Sequence, residues 1–302
     1  MTDGVLTLDG RKIAVSNQDK VLFPADGITK GDLVDYYRRV APTALPHWRG
    51  RPVTMQRFPD GIERDGFFQK QAPDHFPGWI TRVTLDKEDG TVTHLLIEDA
   101  ATAVYLADQA CITPHLALSR ADAADRPDRL VIDLDPSDDD FEKVRFAAKT
   151  AGDLLAALDL PAFAMTTGSR GLHVVVPLAR SAGFDAARAF ARDLAGRLAD
   201  AHPDTLTVEQ RRDRRGDRVY LDVLRNAYGQ TAVAPYAVRA KPGAPVATPI
   251  RWRELDDPRL GPRRWTIANL FRRLGQTEDP WAGIDRRAVA MDTARDRLAR
   301  LG

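Results

Sequence analysis

Asp133 and Asp135 stand two residues apart at the end of the apolar run Leu130-Val-Ile-Asp-Leu-Asp-Pro136. Leu130, Val131, Ile132 and Leu134 favour a buried strand, and residues two apart on a strand project to the same side. Pro136 ends such a strand, because it lacks the donor that a sheet interior needs. Two carboxylates side by side repel unless a cation sits between them or water screens them. One reading is a site for a divalent ion that prefers oxygen ligands, such as Mg²⁺ or Mn²⁺. The other is an acidic turn that caps the following helix, and residues 137–140 contain side chains suited to that.

A second acid makes the same choice sharper. Asp222 falls in the middle of the apolar stretch 218–225, where Val219, Leu221 and Val223 take one face and Asp222 lies on the other beside Tyr220 and Leu224. A carboxylate in such a strand is disfavoured by propensity and by burial. It pairs either with Arg218 or Arg225, or with a metal that Asp133 and Asp135 share. Three carboxylates on neighbouring strands can hold two divalent ions about 4 Å apart, the arrangement used for in-line phosphoryl transfer.

Gly168, Ser169, Arg170 and Gly171 form a four-residue turn between two apolar strands, 162–167 and 172–178. A strand follows it, so it is not a P-loop, which opens a helix. Its successive N–H groups could make an anion-binding nest, with Ser169 and Arg170 assisting. His173, just beyond, shares a face with Val175 and Pro177. It is either a structural histidine or a phosphate contact. Phe67, Phe68 and Lys70 combine aromatic surface with a cation, which suits stacking on a base beside a phosphate. Neighbours on a strand face opposite sides, so at most one of the two phenylalanines is expected in the core. The arginine-rich stretches 209–218 and 251–273 read either as phosphate contacts or as solvated faces.

These residues need elements to position them. Residues 5–15 alternate around Asp9-Gly10 as a hairpin. Thr29 caps a helix expected over 32–40, broken at Pro46. Strands are expected at 53–58, 67–70, 92–98, 130–136 and 218–224, and helices at 100–110, 141–158, 184–198, 265–274 and 285–301. Cys111 falls in an apolar helical context. The four-residue turn forces an antiparallel pair, because a parallel pair needs a long crossover. The fold class is therefore α/β of the α+β kind, with a mixed or antiparallel sheet and helices on one face.

Bulk properties narrow the function. The chain has 302 residues, 43% hydrophobic and 29% charged, with net charge +1, so affinity for nucleic acid must come from local patches. Eight of its 44 basic residues are lysine, which makes each lysine position worth noticing. One cysteine excludes an internal disulfide and a multi-cysteine zinc site. The absence of a leader pattern and of a long apolar run gives a cytosolic expectation, with no membrane partner. No Gly-x-Ser-x-Gly elbow supports a serine hydrolase, and no Gly-x-Gly-x-x-Gly after a strand supports a dinucleotide-dependent redox enzyme.

Taken together, Asp133-Leu-Asp135, Thr167-Gly-Ser-Arg-Gly-Leu-His173 and Leu221-Asp222 resemble the three motifs, in order, of the archaeo-eukaryotic primase superfamily. More closely, the chain resembles the LigD-type polymerase domain of bacterial non-homologous end joining. The resemblance extends over nearly the whole chain, through residues 17–37, 67–73, 171–177, 231–239 and 280–283. It implies a primase-polymerase architecture over 1–302: an RRM-like catalytic sheet with closing helices in 111–302, and an N-terminal DNA-end-binding α/β module in 1–110. It also implies roles. Asp133, Asp135 and Asp222 would be catalytic and bind Mn²⁺ or Mg²⁺. Thr167, Gly168, Ser169, Arg170, His173, His115, Arg225 and Arg239 would hold the nucleoside triphosphate. Lys20 and Lys30 would grip a 5′-phosphate, and Phe67, Phe68 and Lys70 would meet the template. Two positions depart from the family pattern: Thr167 where serine is common, and Arg170 where relatives can carry lysine.

The implied function is a template-dependent DNA or RNA polymerase of repair that prefers ribonucleotides and acts at gaps or breaks. A Ku-like protein and an ATP-dependent DNA ligase are the implied partners, and the bacterial nucleoid the implied place. Alternatives are a gap-filling primase-polymerase of excision repair, a non-catalytic end-binding module and a metal-dependent nuclease.

Overall fold

The computed structural model describes residues 3–300, and the chain divides into two units that interleave along the sequence. The first comprises Met1–Ala117, Thr231–Ala247 and Trp265–Arg273. It opens with the expected hairpin, β1 (Gly4–Leu8) on β2 (Arg11–Val15). The short strands β3 (Val21–Phe23) and β4 (Ile28–Thr29) pair next. Thr29 then caps helix α1 (Lys30–Trp48): its hydroxyl accepts from the Asp32 N–H, and the Asp32 carboxylate accepts from the Thr29 N–H. The helix does not stop near Val40 or at Pro46, as the sequence pattern predicts, but runs through Pro42 and Pro46 to Trp48. Each proline forfeits a backbone hydrogen bond, and burial of Ala44, Leu45 and Trp48 offsets the loss.

The sheet of this unit runs β15 (Thr231–Val233), β9 (Cys111–Ala117), β5 (Pro52–Arg57), β8 (Gly90–Leu96), β7 (Arg82–Lys87), with β6 (Phe67–Gln69) also on β5. Helix α2 (Ala100–Asp108) packs against α1. Cys111 therefore begins a strand and is not helical. The boundary expected after residue 110 is also displaced. Val233 pairs with His115, so β15 draws residues 231–247 back into the first unit. Three ring polar atoms that would otherwise be stranded in this core find carbonyls. Tyr36 donates to Tyr236 O at 2.8 Å, Tyr37 to Ile112 O at 2.6 Å, and Trp48 to Pro235 O at 2.8 Å.

The second unit comprises Leu118–Gln230, Thr248–Arg264 and Leu274–Gly302. Its sheet runs β13 (Leu206–Thr207), β14 (Val219–Asp222), β10 (Arg129–Pro136), β12 (Leu172–Pro177), β11 (Phe163–Thr166), β16 (Thr248–Ile250). All neighbours are antiparallel except β13 and β14, so the sheet is mixed, as expected. Helices α3 (Phe141–Ala157) and α4 (Phe184–Ala201) pack on it. Leu130, Ile132 and Leu134 are fully buried, while Asp133 and Asp135 alternate with them onto the other face and stay partly open.

Beyond the sheet, α5 (Leu270–Leu274) and α6 (Asp292–Arg300) start later than the sequence pattern predicts. The Asn269 side chain accepts from the Thr266 N–H and makes a turn there, and Gly283 in the left-handed region begins a separate short turn before α6. Residue 301 of the expected last helix lies outside the described residues. No described helix is long and apolar enough to cross a membrane.

Candidate active site

Strand β10 is flanked by the two strands that carry the other candidate residues. Asp133 pairs in register with His173 of β12 on one side and with Asp222 of β14 on the other. Register partners in an antiparallel ladder point to the same face, so the three side chains share one surface. Asp133 Oδ1 lies 3.5 Å from His173 Nε2, and His173 is itself buried. Asp135 is paired in register with Tyr220.

Asp222 closes β14 and does not sit mid-strand. Its Oδ1 accepts the Leu224 N–H at 2.8 Å, a local turn that ends the strand. Burial pushes its carboxyl above the usual range. The Leu224 N–H opposes that, the charge of Asp133 adds to it, and Arg225 opposes it. Beyond Asp222, the buried Asn226 carries the pairing on by side chain. Its amide accepts from Val131 N–H at 2.8 Å and donates to Val131 O at 2.7 Å. That fixes the exit of β14 to β10.

Asp135 has two arginine neighbours. Arg170 Nη2 donates to its Oδ1 at 3.2 Å, and Arg215 Nη1 lies 3.8 Å from its Oδ2. Arg215 is stacked over the Tyr220 ring at 3.8 Å and donates to the carbonyls of Glu209 and Gln210. Neither Arg215 nor Asn226 stands out in the sequence. The first is one of five arginines in its loop, and the role of the second exists only in the folded sheet. Asp138 and Asp140 take the capping work: Asp140 accepts from Glu142 N–H, and Asp138 is bonded by Lys143, which also bonds Asp217.

Among the described residues, no three His, Cys, Asp or Glu side chains already close on one point as a metal cage would. The donor set is nonetheless chemically suited to a hard divalent ion. Three carboxylates share one face, and the Asp222 carboxyl is raised first by burial and further by the charge of Asp133, both of which a bound cation would offset.

The turn before His173 differs from the expected nest. The Ser169 and Gly171 N–H groups both donate to the Thr167 hydroxyl at 3.3 Å, and that hydroxyl donates to Gly171 O at 3.1 Å. Thr167 thus organises the turn internally. Gly168 takes φ +65°, and a Cβ on Gly171 would come 1.9 Å from the Leu134 carbonyl, so only glycine lets the turn press against β10. Arg225 is exposed on the short turn after β14.

The other expected site residues belong to the first unit. His115 lies half-buried on β9, and Arg239 half-buried after β15. Phe67 and Phe68 are 45% and 62% exposed, so neither is core, within the expectation of at most one. β6 is an edge strand on β5, and Phe68 packs edge-on against His115. Lys70 is exposed. Lys20 is exposed and paired with Asp60 at 2.9 Å. Lys30 is buried: its ammonium holds the Asp108 carboxylate at 2.8 Å, Asp108 O at 3.1 Å and Ser16 Oγ at 3.2 Å. In this structure it braces α1 against α2 and does not face solvent.

Comparison with known proteins agrees with this fold. Residues 29–281 match the family model described as LigD, primase-polymerase domain. The chain is 34% identical over 291 residues to the multifunctional non-homologous end joining DNA repair protein LigD of Mycobacterium tuberculosis, covering 93% of this chain and 38% of that protein. It is 30% identical over 272 residues to the bifunctional non-homologous end joining protein LigD of Bacillus subtilis, covering 89% and 44%. The chain thus spans less than half the length of these relatives. A solved structure of the polymerase domain of Mycobacterium tuberculosis ligase D in complex with DNA superposes with a TM-score of 0.85 at 33% identity, over 91% of this chain and 99% of that one. The chain belongs to the LigD primase-polymerase domain family.

Proposed function

We propose that this chain is a template-dependent nucleotidyltransferase of DNA repair. It adds nucleotides, ribonucleotides by preference, to primer ends at gaps or breaks that carry a 5′-phosphate. One observation carries the reading: Asp133 stands in register between Asp222 and the histidine that follows the 167–171 turn. Asp133, Asp135 and Asp222 are the residues that would hold Mn²⁺ or Mg²⁺. Such ions, when bound, neutralise phosphate charge and make a primer hydroxyl a better nucleophile.

The chain's own residues orient the reactants. Arg170 brings a guanidinium to the turn, beside Asp135, where a polyphosphate would meet it. The Leu224 N–H fixes the direction of Asp222, and Asn226 holds the chain just beyond it to β10. His173 is held against Asp133. In the first unit, exposed Phe67 and Phe68 offer aromatic faces for bases, with Lys70 close in sequence. Lys20, exposed, is the better placed of the two lysines to grip a 5′-phosphate. His115, Arg225 and Arg239 are the further residues that the family resemblance assigns to the nucleotide. A Ku-like protein and an ATP-dependent ligase are the partners the family resemblance implies, at broken DNA ends held for joining.

The test is primer extension on gapped, 5′-phosphorylated DNA with Mn²⁺ and nucleoside triphosphates, for the native chain and Asp135→Ala. Extension by the native chain alone, faster with ribonucleotides, is expected. Equal extension by both proteins overturns the assignment.

A further inference from the structure

Part of the backbone of the 167–171 turn is already committed. Two of its N–H groups, those of Ser169 and Gly171, are already directed at the Thr167 hydroxyl. Arg170, the cation within the turn, already shares a nitrogen with Asp135. A group carrying several negative charges needs a further donor here.

Arg263 supplies one from outside the motif. Its Nε donates to the Ser169 carbonyl at 2.8 Å, which fastens the guanidinium to the crown of the turn. Its side chain is exposed, and among the described residues no hydrogen bond or ion pair takes its two terminal nitrogens. Its neighbours in the same segment differ: Arg259 is paired with Asp257 at 3.0 Å, and Arg264 donates to Arg259 O at 3.2 Å. A guanidinium held through Nε keeps its plane fixed and presents the remaining N–H groups as a fork that matches phosphate oxygens.

We propose that Arg263 is a polyphosphate-binding residue of the nucleotide site. It meets the triphosphate of the incoming nucleotide beside the 167–171 turn; this deepens the nucleotidyltransferase reading and rests on it. The carbonyl contact alone would make Arg263 a staple of the turn, and the two roles respond differently to substitution. Arg263→Lys keeps the charge and loses the staple. Arg263→Gln keeps an N–H donor for the Ser169 carbonyl and loses the charge.

Calorimetric titration with inorganic tripolyphosphate tests the site without any reaction. Loss of a charge-assisted contact weakens binding by about tenfold in Arg263→Ala and Arg263→Gln, and Arg263→Lys recovers most of it. In primer extension the nucleotide KM rises about tenfold in the Ala and Gln variants, while kcat stays within about threefold. Affinity for gapped, 5′-phosphorylated DNA is unmoved. Arg263 is exposed, so all three variants keep the native melting temperature. Unchanged tripolyphosphate affinity and KM overturn the proposal. So does rescue by Gln in preference to Lys, which assigns the staple alone. If the native chain extends no primer but binds tripolyphosphate through Arg263, the nucleotidyltransferase reading falls and the anion site stands.

Discussion

Asp133 and Asp222 oppose each other in register across β10 and β14, two carboxylates on one face of a sheet. Burial lifts the Asp222 carboxyl, and the charge of Asp133 adds to the effect. A fold alone has no reason to keep this pair, since like charges in a partly desolvated place oppose folding. Under the proposed function, the pair is kept for the cation it would hold.

Asp222→Asn separates the two demands. The amide oxygen still accepts the Leu224 N–H, and the charge is gone. Primer extension is expected to fall by about a thousandfold. The melting temperature is expected to hold or to rise by about 2–4 °C at neutral pH, because a repulsion has been removed. A clear drop in melting temperature would show that Asp222 serves the fold, and the trade-off would be refuted.

Two glycines of the second unit make a matched pair. A Cβ on Gly171 meets the Leu134 carbonyl at 1.9 Å, whereas one on Gly196, inside α4, meets nothing within 4 Å. Gly171→Ala is expected to cost about 3 kcal/mol or more, since strand and turn must part. Gly196→Ala is expected to stabilise by about 1 kcal/mol through helix propensity. Urea unfolding of both variants checks the pair, and a mild effect at Gly171 would mean that the turn does not press on β10 as described.

The period-two spacing of Asp133 and Asp135 after an apolar run was enough to mark a strand end with two acids on one face, because local geometry alone decides that. Asp222 was legible for a similar reason, as a carboxylate among apolar neighbours. Its position at the strand end was not, because the Leu224 N–H contact that ends β14 forms only when the turn closes. Register is non-local: the two stretches suggested a shared site, but not that Asp133 would be the register partner of Asp222. Asn226 and Arg215 stayed hidden for the same reason: their partners, Val131 and Asp135, are far away in sequence. Lys30 misled most instructively. The family resemblance makes Lys30 a phosphate grip, and the rarity of lysine is consistent with that, but its carboxylate, Asp108, lies 78 residues on. The α1 break did not occur because burial of Ala44, Leu45 and Trp48 together offsets the cost of the two prolines.

The two lysines now separate. Lys30→Ala leaves the buried Asp108 carboxylate without its ammonium, and is expected to destabilise by about 3–5 kcal/mol. Lys20→Ala breaks an exposed pair and is expected to cost less than about 1 kcal/mol. In binding assays Lys20→Ala should lose the preference for a 5′-phosphate while Lys30→Met, if it folds, should retain it. Equal stability of the two alanine variants would remove the structural role given to Lys30.

Cys111 tests the first unit's core through pH. Burial pushes its thiol up from 9.0 to about 12, with Arg57 opposing the rise. In the native protein the thiol stays protonated at about pH 8, and a thiol-directed disulfide reagent is expected to leave it untouched until urea unfolds the chain. The linkage has a definite sign. Between 9.0 and about 12 the unfolded chain has released this proton and the native chain still holds it. Stability is therefore intact below pH 9 and declines as pH rises through that window, by at most about 1.4 kcal/mol per pH unit from this group. Comparing urea midpoints of the native chain and Cys111→Ala at about pH 8 and about pH 10.5 gives the contribution of Cys111 together with its effect on Tyr37, since both buried tyrosines are present in the two proteins. The native chain should lose more stability than the variant over this interval. Parallel losses, or rapid labelling of the folded protein, would place Cys111 in contact with water and contradict its position at the start of β9.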